Sequence, residues 1–281
     1  MKVKKILNNN VIVTNDSELK EVIVMGKGLA FGLRSGDDID ESRIDKIFSL
    51  KNSQETSKFS KLLAEVPLEC LEITEQIVDY AKEELGKKLH NSIYITLTDH
   101  INTMIERAKL HAYIKNTMLW DVKRLYRNEF AVARRVVDEI NDRIGSVFDD
   151  NEAASIALHF VNAELEMDFT ATMNITKVIT EILNIIKYNF RITYDEDSLS
   201  YYRFIIHLRF FAQRLFSETT YDDTYDLDFL QHIGNKYSES YHCAQLVKKY
   251  VFNAYQYNFS DEECMYLTIH IEKVIQDSNK L

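Results

Sequence analysis

Proline and glycine are scarce in this chain of 281 residues, which contains one proline and seven glycines. Both residue types interrupt helices, so their near absence over a long stretch favours helical structure. Four of the glycines, Gly26, Gly28, Gly32 and Gly36, crowd into one short segment near the N-terminus. The composition therefore separates a glycine-containing N-terminal segment from a long region of helical character.

Cysteine and long apolar runs are also lacking. The three cysteines are far apart and follow neither a disulfide framework nor a metal-binding spacing, which fits a reducing compartment. No apolar run reaches the roughly 18 residues of a membrane span, and the N-terminus has no apolar signal segment. We therefore expect a cytoplasmic protein without membrane insertion.

The sequence contains neither a Gly-x-x-x-x-Gly-Lys-Ser/Thr phosphate loop nor a His-Glu-x-x-His zinc motif. We expect no cofactor, no metal site and no enzymatic activity. A net charge of -10 argues against a general polyanion-binding protein, but residues 1–34 carry six basic and three acidic side chains. Any binding of nucleic acid would therefore be expected at the N-terminal segment.

The N-terminal segment consists of short β-prone runs with a turn at Asn15–Ser17. They predict an antiparallel sheet with strands near Lys4–Leu7, Val11–Val13, Glu21–Met25 and Arg43–Phe48. A sheet of this size buries little core, so we expect a homodimer.

Beyond Pro67, apolar residues recur at intervals of three and four, which predicts amphipathic helices. The expected fold is a small all-β domain followed by two all-α helical bundles that are copies of each other. The predicted boundaries are 1–55 for the β domain, 56–66 for a linker, and 67–170 and 171–281 for the bundles. The joint between the bundles is expected at Met167–Asn174.

Histidine supports the duplication. His100 is followed seven residues later by Arg107, and His207 is followed seven residues later by Arg214. Seven residues is about two helical turns, so each histidine shares a helix face with its arginine.

A second histidine of each copy also has matching surroundings. Asp149-x-x-Glu152 stands ten residues before His159, and Ser260-x-x-Glu263 stands ten residues before His270. Both motifs have the form of a capping box, which begins a helix. A duplicated domain that places two histidines on two helices explains the pattern.

A histidine in this chain can be a core or interface residue, a metal ligand or a phosphorylation site. The first interpretation is kept for the four histidines outside the repeat: His90, His111, His232 and His242. A metal site is disfavoured because the paired histidines are about 60 residues apart and share no metal-binding motif. Phosphorylation is favoured, since a neutral imidazole nitrogen can accept a phosphoryl group and a nearby arginine can stabilise it.

Seven motifs, in a fixed order, carry a family resemblance: Asn8-Asn9-Asn10, Val24–Phe31, Ser35–Asp38, Leu97–Ile101, Ile156–His159, His207–Arg214 and Tyr266–Ile271. In this order the chain resembles the BglG/SacY-type transcriptional antiterminators over its whole length. The resemblance implies an N-terminal RNA-binding domain and two phosphotransferase-system regulation domains. The dimer would hold a leader-RNA hairpin that competes with a terminator in a sugar operon, and the motifs favour the β-glucoside branch.

The resemblance also implies roles for individual residues. Lys5 and Lys27 would meet phosphates, Asn10 a base edge and Phe31 an unpaired base, while Gly26 and Gly28 would let the backbones approach closely. His100 and His159 would be inhibitory targets of the sugar permease, and His207 and His270 activating targets of the carrier HPr. Arg107 and Arg214 would stabilise the phosphoryl groups.

Two further functions stay open. A histidine phosphoryl carrier would have to pass its phosphate onward, and no nucleotide loop or acid–base pair in the sequence supports that step. A DNA-binding activator with the same regulatory repeats requires an N-terminal helix-turn-helix, whereas this N-terminus predicts strands.

Overall fold

The structure is a computed structural model that describes residues 1–48, 59–63, 65–167, 169–216 and 227–278. It consists of two compact units, Met1–Met167 and Asp168–Leu281. The first unit contains a β-sheet followed by helices, and the described part of the second unit is helical. The predicted fold class is confirmed. Residues 56–58 of the predicted linker lie outside the described residues, whereas residues 59–63 are helical.

The sheet is antiparallel, with the strand order β1-β2-β3-β4. Its strands are β1 (Lys5–Asn8), β2 (Val11–Asn15), β3 (Glu21–Met25) and β4 (Lys46–Phe48). The strand predicted at Arg43–Phe48 is wrong over its first half, because Glu41–Arg43 forms a short 3-10 helix. The Asp40 side chain caps this helix by accepting a hydrogen bond from the Ser42 amide. The described residues 1–48 contain strands where a helix-turn-helix would be needed.

Beyond the helical residues 59–63, the first unit contains α1 (Leu68–Leu85), α2 (Ile93–Lys109), α3 (Leu119–Leu125), α4 (Arg127–Ile144) and α5 (Asp150–Leu165). α1 begins after Pro67. Proline lacks an amide hydrogen, which costs no hydrogen bond at a helix start, because the first amides of a helix have no acceptor within the helix. α1 and α4 end at Gly86 and Gly145, whose φ angles of 61° and 65° are left-handed. Glycine adopts this conformation without a steric penalty, so it ends both helices favourably.

Both faces of the sheet are covered, because alternate residues of a strand point to opposite sides. On one face, the sheet core contains Ile12, Val22, Val24, Leu29 and Ile39. On the other, Phe48 is paired in register with a buried residue of β3. Its ring packs edge to face against Phe59 and Tyr94, at centroid distances of 5.2 and 5.0 Å.

Lys46 adds a polar contact between the sheet and α1. Its Nζ lies 3.0 Å from Asp79 Oδ2 and 3.6 Å from Glu75 Oε1. Burial alone would lower the pKa of Lys46, but the hydrogen bond to Asp79 and the nearby carboxylates raise it above its ordinary value. Lys46 therefore stays charged, and the sheet and α1 share an ion pair as well as an aromatic contact.

The described part of the second unit repeats the helical arrangement with α6 (Phe169–Phe190), α7 (Leu199–Leu215), α8 (Leu227–Lys236), α9 (Ser238–Tyr255) and α10 (Asp261–Ser278). α2 packs on α5 in the first unit, and α7 packs on α10 in the second. The two units divide between Met167 and Asp168, within the predicted joint at Met167–Asn174, and α6 already begins at Phe169. Among the described helices, none is long and apolar enough to cross a bilayer.

Candidate functional site

The glycine loop that follows β3 is tied to the turn between β1 and β2. Asn10 accepts a hydrogen bond at Oδ1 from the Gly28 amide, and its carbonyl accepts one from the Gly26 amide. The Ala30 amide donates to the Asn9 carbonyl. These bonds fix the two turns against each other, so the predicted RNA-binding residues of both turns share one rigid framework.

Arg43 holds the same loop from the other side, a role that the sequence analysis missed. Its Nη2 donates to the carbonyls of Lys27 and Gly28, at 3.1 and 2.8 Å. The Arg43 carbonyl oxygen lies where a side chain at residue 26 would begin, since a Cβ on Gly26 would come within 1.8 Å of it. Gly26 is therefore required for close packing inside the sheet, which differs from the predicted approach of an RNA backbone.

The other predicted RNA-binding residues lie at or near the surface. Phe31 has 78% of its surface exposed and follows the glycine loop directly. Lys27 and Lys5 are exposed, the latter on β1. The Asn10 carboxamide is half-buried, and its oxygen is already used by Gly28. Asn10 therefore has its amide nitrogen left to offer a base, because no group within the described residues accepts from it.

In the first unit, His100 on α2 and His159 on α5 lie side by side, with ring centroids 5.0 Å apart. His159 is buried, with 9% of its surface exposed. Burial and the neighbouring His100 lower the pKa of His159 to about 3. The structure thus brings this predicted pair together and keeps the His159 ring neutral near pH 7.

A buried carboxylate joins His100 to Arg107. Glu152 Oε1 accepts a hydrogen bond from Arg107 Nη2 at 2.8 Å, and Oε2 lies 3.2 Å from His100 Nε2, at ion-pair distance but off the ideal N–H direction. Burial would raise the pKa of Glu152, but the contacts with His100 and Arg107 hold it below its ordinary value. The carboxylate is therefore ionised and is shared by the two predicted site residues.

The capping box predicted at Asp149 is wrong in its second half. The Asp149 side chain caps α5 by accepting from the Asn151 amide. Glu152, however, points to α2 and its His100 and Arg107 instead of returning to the N-cap. Glu152 and Glu263 occupy the same position in the two copies, and this equivalence was the signal in the sequence for a contact with the arginine.

In the second unit, His207 on α7 and His270 on α10 are closer, with ring centroids 4.1 Å apart. His270 also stacks on Phe204, at 6.1 Å between centroids. Burial and the adjacent His207 lower the pKa of His270 to about 4, and burial and Arg214 lower the pKa of His207. The structure thus brings the second predicted pair together as well.

The capping box predicted at Ser260 is confirmed. The Ser260 amide donates to Glu263 Oε2 at 3.2 Å, and the Glu263 amide donates to Ser260 Oγ at 3.1 Å. The Glu263 carboxylate also accepts from the Tyr257 hydroxyl and from Arg214 Nη2, at 3.0 and 3.2 Å. In this unit the glutamate thus contacts the arginine while it caps its own helix.

A cleft of about 620 Å³ opens beside the second pair. His207, His270, Arg214 and Glu263 all line it. His207 is exposed, so its ring is accessible to another molecule. The first pair is less accessible, because His159 is buried and His100 is partly buried.

Three of the four histidines outside the repeat lie outside the core. His90 is half-buried and its Nδ1 lies 2.8 Å from Ser92 Oγ at the start of α2. His111, His232 and His242 are exposed, so their interpretation as core residues is wrong. Their exposure makes them suitable controls for substitutions at the paired histidines.

Acidification is expected to destabilise the first unit through His159. Its pKa is about 3 in the folded chain and near 6.5 in an unfolded one. Because the folded pKa is depressed, this contribution to stability is complete above about pH 6.5 and is lost as the pH falls towards 3. Between pH 7 and pH 5 the expected loss is about 2 kcal/mol.

Native-state amide hydrogen exchange in α5, corrected for the intrinsic exchange rate, measures this loss. A His159→Gln variant should lose about 2 kcal/mol less than the wild type between the same two pH values. His242→Gln replaces an exposed histidine and should retain the wild-type dependence. The same pH dependence in the wild type and in His159→Gln would contradict the prediction.

Comparisons with known proteins match the whole chain. Residues 1–57 match the CAT RNA binding domain, and residues 75–163 and 180–274 match the PRD domain. The chain is 46% identical over 278 residues to "Transcription antiterminator LicT" of Bacillus subtilis (strain 168), covering 99% of this chain and 100% of that protein. It is 44% identical over 276 residues to "Beta-glucoside operon antiterminator" of Dickeya chrysanthemi, covering 98% of this chain and 96% of that one. A solved structure, "Crystal structure of GlcT CAT-PRDI", covers 58% of this chain and 97% of its own, with 34% identity and a TM-score of 0.51.

Proposed function

The chain belongs to the BglG/SacY family of transcriptional antiterminators, and we propose that it holds a hairpin in the leader RNA of a sugar-utilisation operon. The hairpin overlaps a terminator, so binding it lets transcription continue. The observation that carries this function is Phe31, a highly exposed aromatic ring beside a loop that Asn10 and Arg43 hold in place. A ring held in this way can stack on an unpaired RNA base, because the loop beside it already has a fixed conformation before RNA binds.

Electrostatics and polar groups support the same surface. Residues 1–34 carry six basic and three acidic side chains although the whole chain carries a charge of -10, so this segment can attract phosphate locally. Lys5 and Lys27 supply charges, and the Asn10 amide nitrogen supplies a donor to a base edge. Gly28, with φ +61°, keeps the loop in the shape that presents these groups.

The proposed regulation is phosphorylation of the four paired histidines. His207 and His270 would accept phosphate from HPr, and His100 and His159 would accept it from the sugar permease. The chain would act in the cytoplasm as a homodimer. Arg107 supports this for the first pair, because its Nε is buried without a hydrogen-bond partner among the described residues. A phosphoryl oxygen would satisfy that donor. Arg214 lines the cleft beside the second pair.

The inducing sugar is proposed to be a β-glucoside. The relative from Dickeya chrysanthemi is named for a β-glucoside operon, and it is 44% identical over nearly the full length of both chains. Sugar recognition would belong to the permease that phosphorylates the chain rather than to the chain itself.

Phe31→Ala is expected to weaken binding of the leader hairpin about 5- to 150-fold, because base–aromatic stacking contributes about 1–3 kcal/mol per base. The ring is 78% exposed, so the free energy of unfolding should change little. Fluorescence anisotropy with a labelled hairpin, measured for the intact chain and for residues 1–58, gives the dissociation constants.

Leu19→Ala is the matched control, since Leu19 is 82% exposed in the turn between β2 and β3, away from the glycine loop in sequence. A DNA duplex of the same length and an unstructured RNA of the same composition serve as competitors. Equal weakening by the two substitutions, or equal binding of hairpin and duplex, would overturn RNA recognition by this sheet.

A further inference from the structure

Glu152 and His100 meet in a part of the first unit that solvent does not reach. Glu152 is 5% exposed, and its Oε2 lies 3.2 Å from His100 Nε2. Both atoms are inaccessible to solvent, and neither makes a hydrogen bond among the described residues, since the contact between them is off the N–H direction. Each atom is still the polar neighbour of the other at ion-pair distance, and a buried polar atom is costly without such a neighbour.

The chemistry of the two groups assigns the proton. An ionised carboxylate only accepts hydrogen bonds, so the proton in this contact belongs to His100 Nε2. In a neutral imidazole with its proton on Nε2, the lone pair available for reaction is on Nδ1. Resting on the proposed phosphorylation of His100, we propose that Glu152 is a positioning residue that fixes the His100 tautomer and makes Nδ1 the atom that accepts the phosphoryl group.

Accessibility leads to the same atom. The His100 side chain is 16% exposed, and this exposed part excludes Nε2, which solvent does not reach. A donor protein therefore approaches the ring from a side other than that of Nε2. Arg107 is on the same helix and binds the other oxygen of Glu152, which keeps the carboxylate oriented.

The transfer balances without an added base. The donor is the phosphorylated sugar permease proposed above. The Nδ1 lone pair of His100 forms the new N–P bond, and the electron pair of the bond between phosphorus and the permease side chain leaves with that side chain. The Nε2 proton of His100 stays in place, so the phosphorylated ring is an imidazolium. Its positive charge then faces the Glu152 carboxylate at ion-pair distance, and this opposite charge stabilises the product.

The second unit lacks this arrangement. Glu263 accepts from Tyr257, from the Ser260 amide and from Arg214. Within the part of the chain that the structure describes, no carboxylate lies at ion-pair distance from His207. The choice of nitrogen is therefore fixed at His100 and left free at His207, which makes Glu263→Gln a matched control for Glu152→Gln.

Two NMR measurements on the intact chain test the assignment. Proton–nitrogen spectra of histidine-labelled chain report the tautomer of each ring, with His100→Ala providing the resonance assignment. Phosphoramidate then phosphorylates the histidines without a protein donor, and phosphorus–nitrogen coupling identifies which nitrogen carries phosphate. We expect an Nε2–H tautomer and Nδ1 phosphorylation at His100. Glu152→Gln should mix the tautomers and slow phosphorylation of His100 by about tenfold, which corresponds to about 1.4 kcal/mol, whereas Glu263→Gln should leave His100 unchanged.

The outcomes separate the two levels of inference. An Nδ1–H tautomer in the wild type, or phosphate on Nε2 of His100, would overturn the role of Glu152 and leave the proposed regulation in place. The same holds if Glu152→Gln and Glu263→Gln affect His100 equally. If the tautomer is as expected and His100 is phosphorylated neither by phosphoramidate nor by the phosphorylated permease, the proposed regulation fails at this residue. The tautomer is read in the unmodified wild type, so it does not depend on the folding of any variant.

Discussion

Replacing both His207 and His270 with alanine is expected to abolish antitermination, even when the inducing sugar is present. Replacing His100 with alanine is expected to have the opposite effect, with full activity when the sugar is absent. The first substitution removes the proposed activating sites, and the second removes a proposed inhibitory site. A reporter gene placed behind the leader terminator measures both results.

The expected effects are large because a phosphoryl group adds about two negative charges. One pair of unit charges 4 Å apart contributes about 4 kcal/mol at an effective dielectric constant of 20. Moving a two-state equilibrium from 1:99 to 99:1 needs about 5.5 kcal/mol. Two added charges on a pair of rings 4.1 Å apart between centroids, in a cleft that Arg214 also lines, therefore bring electrostatic energies of the same order as this switch.

His242→Ala is the control, because His242 is an exposed histidine on α9 of the same unit. Its reporter activity should equal that of the wild type. His207 is exposed too, so its replacement should not unfold the chain, which circular dichroism checks. Persistent activity after loss of both His207 and His270 would contradict the assignment of the second pair as activating.

Gly26→Ala is expected to destabilise the N-terminal sheet by about 3 kcal/mol or more, at the upper end of the range for overpacked cores. The added Cβ would come within 1.8 Å of the Arg43 carbonyl oxygen. That oxygen belongs to the backbone, and the Asp45 amide two residues later donates to the Met25 carbonyl at 2.8 Å. The clash therefore cannot be relieved without separating β4 from β3.

Gly32→Ala is the matched control, because a Cβ there meets nothing within 4 Å although φ is +78°. Its cost should be limited to the left-handed conformation, about 1–2 kcal/mol. Amide hydrogen exchange in β2 and β3 compares the two variants within the sheet itself. Equal protection in both variants would show that the backbone can move away from residue 26.

The secondary structure could be predicted from the sequence where interactions between residues close in sequence determine it. β3 lies at the predicted Glu21–Met25, since an apolar run between a turn and a glycine loop has few alternatives. The capping box at Ser260 formed because both of its bonds are local. The strand predicted from Arg43 begins later than expected, because Asp40 caps a short helix that includes Arg43. The β-prone run that begins at Arg43 did not indicate this helix.

The site was predictable as a set of residues but not as a set of contacts. The repeat identifies His100, His159, His207 and His270 as equivalent positions in the two copies, and the structure brings the two histidines of each copy together. The partner of Glu152 depends on how α5 packs on α2, which no spacing within one helix encodes. Arg43 was missed for the same reason, because its partners Lys27 and Gly28 are distant in sequence.

The aromatic contact between the sheet and α2 determines how far a regulatory signal has to travel. Tyr94, which packs on Phe48, and His100 are six residues apart on α2, or about 9 Å along its axis. Six residues also turn the helix by about 240°, so one side of the rod meets the sheet while another meets His159. A tilt of α2 caused at His100 would move Tyr94 against the sheet, on the microsecond to millisecond timescale of collective motions of packed elements. The helix α2 would then connect the proposed phosphorylation site His100 directly to the sheet.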